Sequence, residues 1–246
     1  MRGLRDKSVL VTGGGGAIGA AICRRFAAEG ARVLVADKNS ESAKAVANEV
    51  SGTALVFDVS DYAEARKALA SAGQIDVLVN NAGWDRFQNF LDTDPAEWEA
   101  LIAINLRGPL NMHHLVLPQM AARGAGRVVN ISSDAARVGS SGEAVYAACK
   151  GGILSLTKTL ARELARKGVT VNAVCPGPTD TPILRGFLGE GEAGKKVYDA
   201  LVRAIPMKRV GRPDDVPGIV AFLACDEAAY LTGQVISVSG GLTMAG

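Results

Sequence analysis

Short runs of β-branched and other apolar residues alternate along the chain with longer stretches in which apolar residues recur at helical spacing. The short runs predict seven strands, and the longer stretches predict the helices that connect them. Repeated strand–helix–strand units favour one α/β domain, a doubly wound Rossmann-type parallel sheet with helices on both faces. The strands are expected at 8–12, 32–36, 53–57, 75–80, 126–132, 169–174 and 234–238, and the clearest helices at 17–29, 40–50 and 144–167.

Local signals support these boundaries. Gly30 follows the first predicted helix, where a left-handed residue often ends a helix. Asp61 and Glu64 are spaced as in a capping box, and Pro213 can open the last helix. A helix end at Gly30 and helix starts near Asp61 and Pro213 are therefore expected.

One segment breaks the alternation. Residues 176–194 are rich in proline and glycine, and a loop of this length inside a compact domain is usually functional. We therefore expect a lid over a pocket at about 178–208, within a single domain that covers residues 1–246.

Composition and charge narrow the classes of partner. The chain has 246 residues, with 27 Lys and Arg against 25 Asp and Glu, so its net charge of +2 offers no field to hold nucleic acid or an anionic membrane surface. No run of apolar residues reaches the length of a membrane span. Cys23, Cys149, Cys175 and Cys225 lie far apart with no C-x-x-C pair, which favours a reduced, cytoplasmic protein without a zinc site.

A glycine-rich segment at 12–19, TGGGGAIG, follows the first predicted strand and opens the first helix. Unpaired N–H groups and the helix dipole at such a junction favour a pyrophosphate, although glycine strings also form plain turns. Asp37 ends the second strand, where a carboxylate can hold the ribose hydroxyls of NAD and repel the 2′-phosphate of NADP. Lys38 could soften that preference, and the sequence predicts NAD as the cofactor.

Polar or glycine residues also end the next two predicted strands. The third strand ends at Asp58, and the fourth ends in the segment 80–83, NNAG. Open parallel sheets bind ligands at the carboxyl edge of the strands. These positions are therefore expected to meet around one ligand.

A possible proton-transfer pair lies on the helix predicted at 144–167. Tyr146 and Lys150 are four residues apart and so share one helix face. A nearby ammonium favours a phenolate, so Lys150 is expected to lower the pKa of Tyr146. Ser133 lies thirteen residues before Tyr146, at the end of a predicted strand, where its hydroxyl could steady a carbonyl or alcohol oxygen.

In this order, the motifs resemble those of the short-chain dehydrogenase/reductase family, and the resemblance covers essentially the whole chain. It implies that Tyr146 exchanges the substrate proton, Ser133 orients the substrate oxygen, Lys150 binds the nicotinamide ribose, and Asn105 holds a water in a proton relay. The cofactor contacts implied by the resemblance and by the strand ends are Gly13, Gly16, Ile18, Asp37, Asp58, Val59, Asn81, Gly83, Tyr146, Lys150, Pro176, Gly177, Thr179 and Thr181.

Three pocket-forming segments, 80–85, 133–146 and 174–181, resemble more closely those members of the family that act on 2-hydroxycyclohexanecarbonyl-CoA. The implied substrate is a ring-bearing secondary alcohol or ketone, with or without a CoA thioester, and the implied assembly is a homotetramer. Trp84 could form an aromatic wall for a ring or be an ordinary packed side chain. The implied substrate contacts are Trp84, Asp134, Arg137 and Glu143.

Other functions stay open at this stage. A 1-arylethanol dehydrogenase and a 3-oxoacyl carrier-protein reductase would share the same reacting residues. A catalytically silent dinucleotide sensor would keep the fold, although intact Ser133, Tyr146 and Lys150 argue against it. No metal site is predicted, because the adjacent His113 and His114 point to different helix faces. Several cations near the lid could bind CoA phosphates or could simply be solvent-exposed charges on helix faces: Arg185, Lys195, Lys196, Arg203, Lys208 and Arg209.

Overall fold

The computed structural model describes residues 1–189 and 191–245, and within them seven parallel strands form one sheet in the order β3-β2-β1-β4-β5-β6-β7. The predicted doubly wound α/β fold is confirmed, with strand ends that differ from the predicted ones by no more than two residues. The strands are β1 Ser8–Thr12, β2 Arg32–Asp37, β3 Thr53–Val56, β4 Val77–Asn80, β5 Gly126–Ile131, β6 Val169–Pro176 and β7 Val235–Val238.

Helices cover both faces of this sheet, as expected for parallel strands. Successive residues of β1 point to opposite faces: Val9 and Val11 join one core with Phe26 of the first helix, whereas Leu10 joins the other core with Met112. The helices are α1 Ala17–Ala28, α2 Ser40–Glu49, α3 Tyr62–Leu69, α4 Pro95–Ile102, α5 Gly108–Arg123, α6 Ala135–Val138, α7 Ala144–Leu164, α8 Pro182–Leu188, α9 Gly191–Ala204 and α10 Pro217–Ala224.

Two predicted helix starts differ in detail. The Asp61 carboxylate caps α3 by accepting the Glu64 N–H at 2.9 Å, but the Glu64 carboxylate accepts the N–H of Asp58, at 3.2 Å, instead of closing a capping box. Pro213 opens a short 3-10 turn, Pro213–Asp215, and the last helix begins at Pro217.

The proline- and glycine-rich segment is not an irregular loop where it is described. It contains α8 and the start of α9. The Thr181 hydroxyl accepts the Leu184 N–H at 3.4 Å and so caps α8, and Gly189, with φ of +68°, ends it in the left-handed region. No helix in the described ranges is long and apolar enough to cross a membrane.

The order of the strands places a crevice at the carboxyl edge of the sheet. β1 pairs with β2 on one side and with β4 on the other, so the chain turns to opposite sides after β1 and after β4. Ligands of open α/β sheets bind where the strand order reverses in this way.

Candidate active site

A cleft of about 820 Å³ opens at this edge of the sheet. It is bounded by the turn between β1 and α1, the ends of β2, β4, β5 and β6, the start of α7, and α8. Every residue that the sequence predicts as a cofactor contact lines the cleft. Ser133 and, among the predicted substrate contacts, Trp84, Asp134 and Glu143 also line it.

The glycine turn is packed too closely for side chains. Gly13 has φ of +61°, and a Cβ on it would lie 2.8 Å from the Cα of Ala82. A Cβ on Gly19 would lie 2.1 Å from the carbonyl oxygen of Gly13. The first turn of α1 contains no acidic residue, and its first N–H groups lack intrahelical partners. The turn therefore fits the pyrophosphate of a dinucleotide.

Asp37 is fixed against this turn. Its Oδ2 accepts the N–H of Gly15 at 3.1 Å, and its Oδ1 accepts the N–H of Asn39 at 3.0 Å. Lys38 and Lys150 are the cations among the described residues that line the cleft. The nucleotide end of the cleft therefore carries the carboxylates of Asp37 and Asp58 and a single lysine, Lys38.

Asp58 has a different set of partners. Its Oδ1 accepts the N–H and the hydroxyl of Ser60 at 2.8 and 2.7 Å. Burial opposes ionisation here, but these hydrogen bonds outweigh it and hold the pKa of Asp58 below its usual range. The carboxylate is an acceptor at neutral pH.

The ends of β1 and β4 are tied together below the cleft. The Thr12 hydroxyl oxygen accepts the N–H groups of Asn81 and Ala82 at 3.0 and 3.1 Å. The Asn81 amide donates in return to the carbonyls of Thr12 and Gly13 at 3.1 and 3.0 Å. These reciprocal hydrogen bonds fix the backbone that forms the floor of the cleft between the glycine turn and the reacting residues.

α7 presents the reacting residues to the other end of the cleft. The Nζ of Lys150 lies 5.6 Å from the centroid of the Tyr146 ring and donates to the carbonyl of Ile131 at 3.0 Å. The hydroxyl of Ser132 donates to the carbonyl of Lys150 at 2.9 Å, which fastens α7 to the end of β5. Ser133 follows directly and lines the cleft beside Tyr146.

The electrostatics of this pair differ from the expectation. Burial lowers the pKa of Lys150 to about 8. Burial raises the pKa of Tyr146, and the carboxyl of Asp85 raises it further, while the Ser133 hydroxyl opposes the shift. The lowered Tyr146 pKa expected from Lys150 is not what the structure shows, because burial and a nearby acid outweigh the ammonium. The phenol keeps its proton at neutral pH.

Comparison with known proteins agrees with this geometry. A family profile described as "Enoyl-(Acyl carrier protein) reductase" matches residues 15–243. The acetoacetyl-CoA reductase of Shinella zoogloeoides is 42% identical over 241 residues, which cover 96% of this chain and 98% of that protein. The chain belongs to the short-chain dehydrogenase/reductase family. It is an oxidoreductase of a family that uses nicotinamide dinucleotides.

Two further members of the short-chain dehydrogenase/reductase family match over nearly the full chain. The 3-oxoacyl-[acyl-carrier-protein] reductase of Thermotoga maritima is 36% identical, covering 98% of this chain and 99% of that protein. The crystal structure of a 3-oxoacyl-[acyl-carrier protein] reductase with bound NAD from Brucella melitensis has a TM-score of 0.90 and 32% identity, covering 98% of this chain and 92% of that one.

Asn105 is the predicted catalytic residue that the structure does not place in the cleft of this short-chain dehydrogenase/reductase. It is fully buried in a π-helical segment, Ala103–Arg107. Its Nδ2 donates to the carbonyls of Trp84 and Leu101 at 2.7 and 3.0 Å, and its Oδ1 accepts the N–H of Trp84 at 3.3 Å. The amide holds the segment after β4 in place, and the role of Asn105 in a water relay stays a prediction.

Arg137 is also separated from the other predicted substrate contacts. It lies on α6, and its Nη1 donates to the hydroxyl of Ser237 on β7 at 2.7 Å, while Nη2 donates to the carbonyl of Ala245. The guanidinium is turned toward the C-terminal segment because its donors find partners there. Trp84, which is 37% exposed, stands at the cleft itself.

Asp85 lines the cleft but is missing from the predicted site. It is only 9% exposed, and its carboxyl lies within hydrogen-bonding reach of that of Glu143. The sequence gives no local signal for this, since an acid after an aromatic residue is ordinary on a surface loop. The ring of Phe87 packs against that of Phe187 on α8 at 3.9 Å between centroids, with the rings tilted by 30°, and this contact brings the lid over the segment that carries Asp85.

Proposed function

We propose that the protein is an NAD-dependent dehydrogenase that transfers hydride between NAD and a ring-bearing secondary alcohol or its ketone. 2-Hydroxycyclohexanecarbonyl-CoA, or a close analogue of it, is the proposed substrate. The observation that carries this proposal is the single cleft that joins the glycine turn to Ser133, Tyr146 and Lys150.

The cofactor preference rests on Asp37. Its carboxylate stands beside the glycine turn, where it can accept from ribose hydroxyls and where a 2′-phosphate would meet a like charge. Lys38 is the neighbouring cation and is the one feature that favours a phosphate. When bound, the nicotinamide supplies or accepts the hydride.

The chain's own residues would manage the proton and the substrate oxygen. In the direction of ketone reduction, Tyr146 holds its proton at neutral pH and can donate it to the developing alkoxide. Ser133 can hold the same oxygen by a hydrogen bond. The partly neutralised Lys150 ammonium, buried under the Tyr146 ring, stabilises the phenolate that proton donation leaves behind.

A ring-bearing substrate is supported by the walls beyond Tyr146. Trp84 lines the cleft, and so do Phe87 and Phe187, whose rings pack against each other. A CoA group would have to meet phosphate-binding cations outside the cleft. Arg185 and Arg209 are already paired with Asp180 and Asp215 at 2.7 and 2.6 Å, whereas Lys195 and Lys196 are exposed on α9.

A second candidate is the reduction of open-chain 3-oxoacyl thioesters, which the names of the relatives favour. A panel of secondary alcohols and ketones, free and CoA-linked, assayed by reduced-nicotinamide absorbance with NAD and NADP, separates the two. We expect the highest kcat/KM with NAD and 2-hydroxycyclohexanecarbonyl-CoA. Activity confined to open-chain 3-oxoacyl thioesters with NADPH would favour the second candidate, and efficient oxidation of free 1-arylethanols would remove the role of CoA.

The assembly and location proposed with this function are a homotetramer in the cytoplasm. Light scattering coupled to size-exclusion chromatography measures the mass of the assembly, and so the number of subunits, directly. A mass near that of the 25.4-kDa monomer would contradict it.

A further inference from the structure

Two carboxyl groups meet at the substrate end of the cleft. Asp85 follows β4 and Glu143 precedes α7, and the two segments are joined where the N–H of Gln88 donates to the carbonyl of Gly142 at 2.9 Å. Both carboxyls line the cleft, and they lie within hydrogen-bonding reach of each other. The N–H of Arg86 donates to Asp85 Oδ1 at 2.8 Å, while Oδ2 is buried and accepts no hydrogen bond from an N–H or hydroxyl group of the described residues.

Such a pair must hold a proton. Two carboxylates in contact repel each other, and neither can donate to the other unless one of them is protonated. Burial, followed by the contact with Glu143, raises the pKa of Asp85 to about 8. At pH 7 the pair therefore carries about one negative charge, and above about pH 8 it carries two.

The groups around the pair leave this charge in place. Tyr146 and Lys150 face it from α7, and the Lys150 ammonium opposes the rise in the Asp85 pKa without cancelling it. The guanidinium of Arg86 is bonded to Glu97 instead. Asp134, which also lines the cleft, adds an acid and not a cation.

We propose that Asp85 and Glu143 share a proton and form a negatively charged wall that excludes substrates bearing a free carboxylate beside the reacting carbon. The enzyme would then accept the acyl group of such a substrate as a neutral thioester, ester or amide. This inference rests on the proposed function, and it names a determinant of specificity that acts by repulsion.

The expected size of the effect is an order-of-magnitude estimate from Coulomb's law. For charges about 5 Å apart and an effective dielectric constant of about 20, like unit charges repel strongly enough to weaken binding about two- to three-hundredfold, and solvent at the open side reduces this. We therefore expect the ester to be favoured over the free acid by about tenfold to a hundredfold.

The test compares one diastereomer of 2-hydroxycyclohexanecarboxylate with its ethyl ester and CoA thioester, using NAD at pH 7. At pH 7 either carboxyl alone would keep the single charge of the pair, so the double variant Asp85→Asn/Glu143→Gln is used, which keeps the size of both side chains and removes that charge. It should raise the ratio of kcat/KM for the free acid over that for the ester about tenfold. Asp92→Asn is the matched control, because it removes an exposed carboxylate of the same stretch of chain and should leave the ratio unchanged.

The pH dependence provides a second measurement. The preference of the parent enzyme for the ester should grow as pH rises through about 8, as the pair loses its proton, and this change should be absent in Asp85→Asn. Using a ratio of two substrates removes the effect of Asp85 on the pKa of Tyr146, because both substrates share it.

The outcomes separate this inference from the proposed function. A parent enzyme that oxidises neither the ester nor the thioester contradicts the proposed function. A parent enzyme that oxidises the free acid as efficiently as the ester overturns the charged wall and leaves the function standing. A ratio that stays within twofold of the parent value in the double variant also overturns it.

Discussion

Asn105 supports the segment that carries Trp84 and Asp85, and Asn105→Ala removes that support. The substitution deletes two hydrogen bonds to the carbonyls of Trp84 and Leu101 and a third from the N–H of Trp84. A buried hydrogen bond contributes about 1 kcal/mol, and more where its partner is left unpaired. We therefore expect the free energy of unfolding to fall by about 3 kcal/mol.

In a chain of this size, a loss of about 3 kcal/mol corresponds to a fall in Tm of about 6–12 °C. Scanning calorimetry or circular dichroism measures this directly. Because the same bonds position the wall of the cleft, kcat/KM measured well below Tm should fall as well. The dissociation constant of NAD should change less, since the glycine turn does not depend on these bonds.

Asn111→Ala is the matched control. Its amide also donates two hydrogen bonds to backbone carbonyls, of Val59 and Ser60 at 2.9 and 3.2 Å, but it is half-buried and lies at the nucleotide end. For Asn111→Ala we expect a smaller loss in the free energy of unfolding than for Asn105→Ala. We also expect it to change the dissociation constant of NAD and not the selection among substrates. A fall in Tm of under 2 °C for Asn105→Ala, or one no larger than that for Asn111→Ala, would refute the reasoning.

Three further substitutions test the cleft. Tyr146→Phe should reduce turnover by about 10²–10⁴-fold while NAD binding, followed by fluorescence titration, survives; turnover within threefold of the parent would remove Tyr146 from proton transfer. Asp37→Asn keeps an acceptor for the Gly15 N–H but loses the charge, so it should narrow the preference in kcat/KM for NAD over NADP; a parent enzyme that already prefers NADP contradicts this assignment. Trp84→Ala should lower kcat/KM for ring-bearing substrates more than for short open-chain ones, and equal losses would make Trp84 a packing residue.

The strands could be predicted because parallel strands covered on both faces appear as short apolar runs. β1 is buried at all five of its positions, which leaves no polar interruption in the pattern. The helices of the lid could not be predicted in the same way. α9 does carry an amphipathic pattern, with Val197 and Leu201 four residues apart, but the glycines at its start and the prolines before it favour a loop over a helix.

The residues of the site also differ in how well the sequence predicts them. The glycine turn and the Tyr146–Lys150 pair are local patterns, so their spacing is visible in the sequence. The position of Arg137 depends on Ser237, one hundred residues away, and the pairing of Asp85 with Glu143 depends on two loops that meet only in the fold. Contacts of this kind leave no spacing that a sequence pattern could reveal.

The segment that follows β4 links chemistry to specificity. A Cβ on Gly83 would lie 3.0 Å from Asn105 Oδ1 and 3.2 Å from Lys150 Nζ, so the backbone passes between the buried amide and the ammonium. Two residues later the same backbone places the Asp85 carboxyl where its charge acts on Tyr146. A substitution that moves this segment must therefore change the proton-transfer residue and the charged wall together, whereas Asp85→Asn, compared above pH 8 where both carboxyls are ionised, changes the charge alone. Comparing the Asn105 and Asp85 variants on the same substrates thus separates displacement of the wall from loss of its charge.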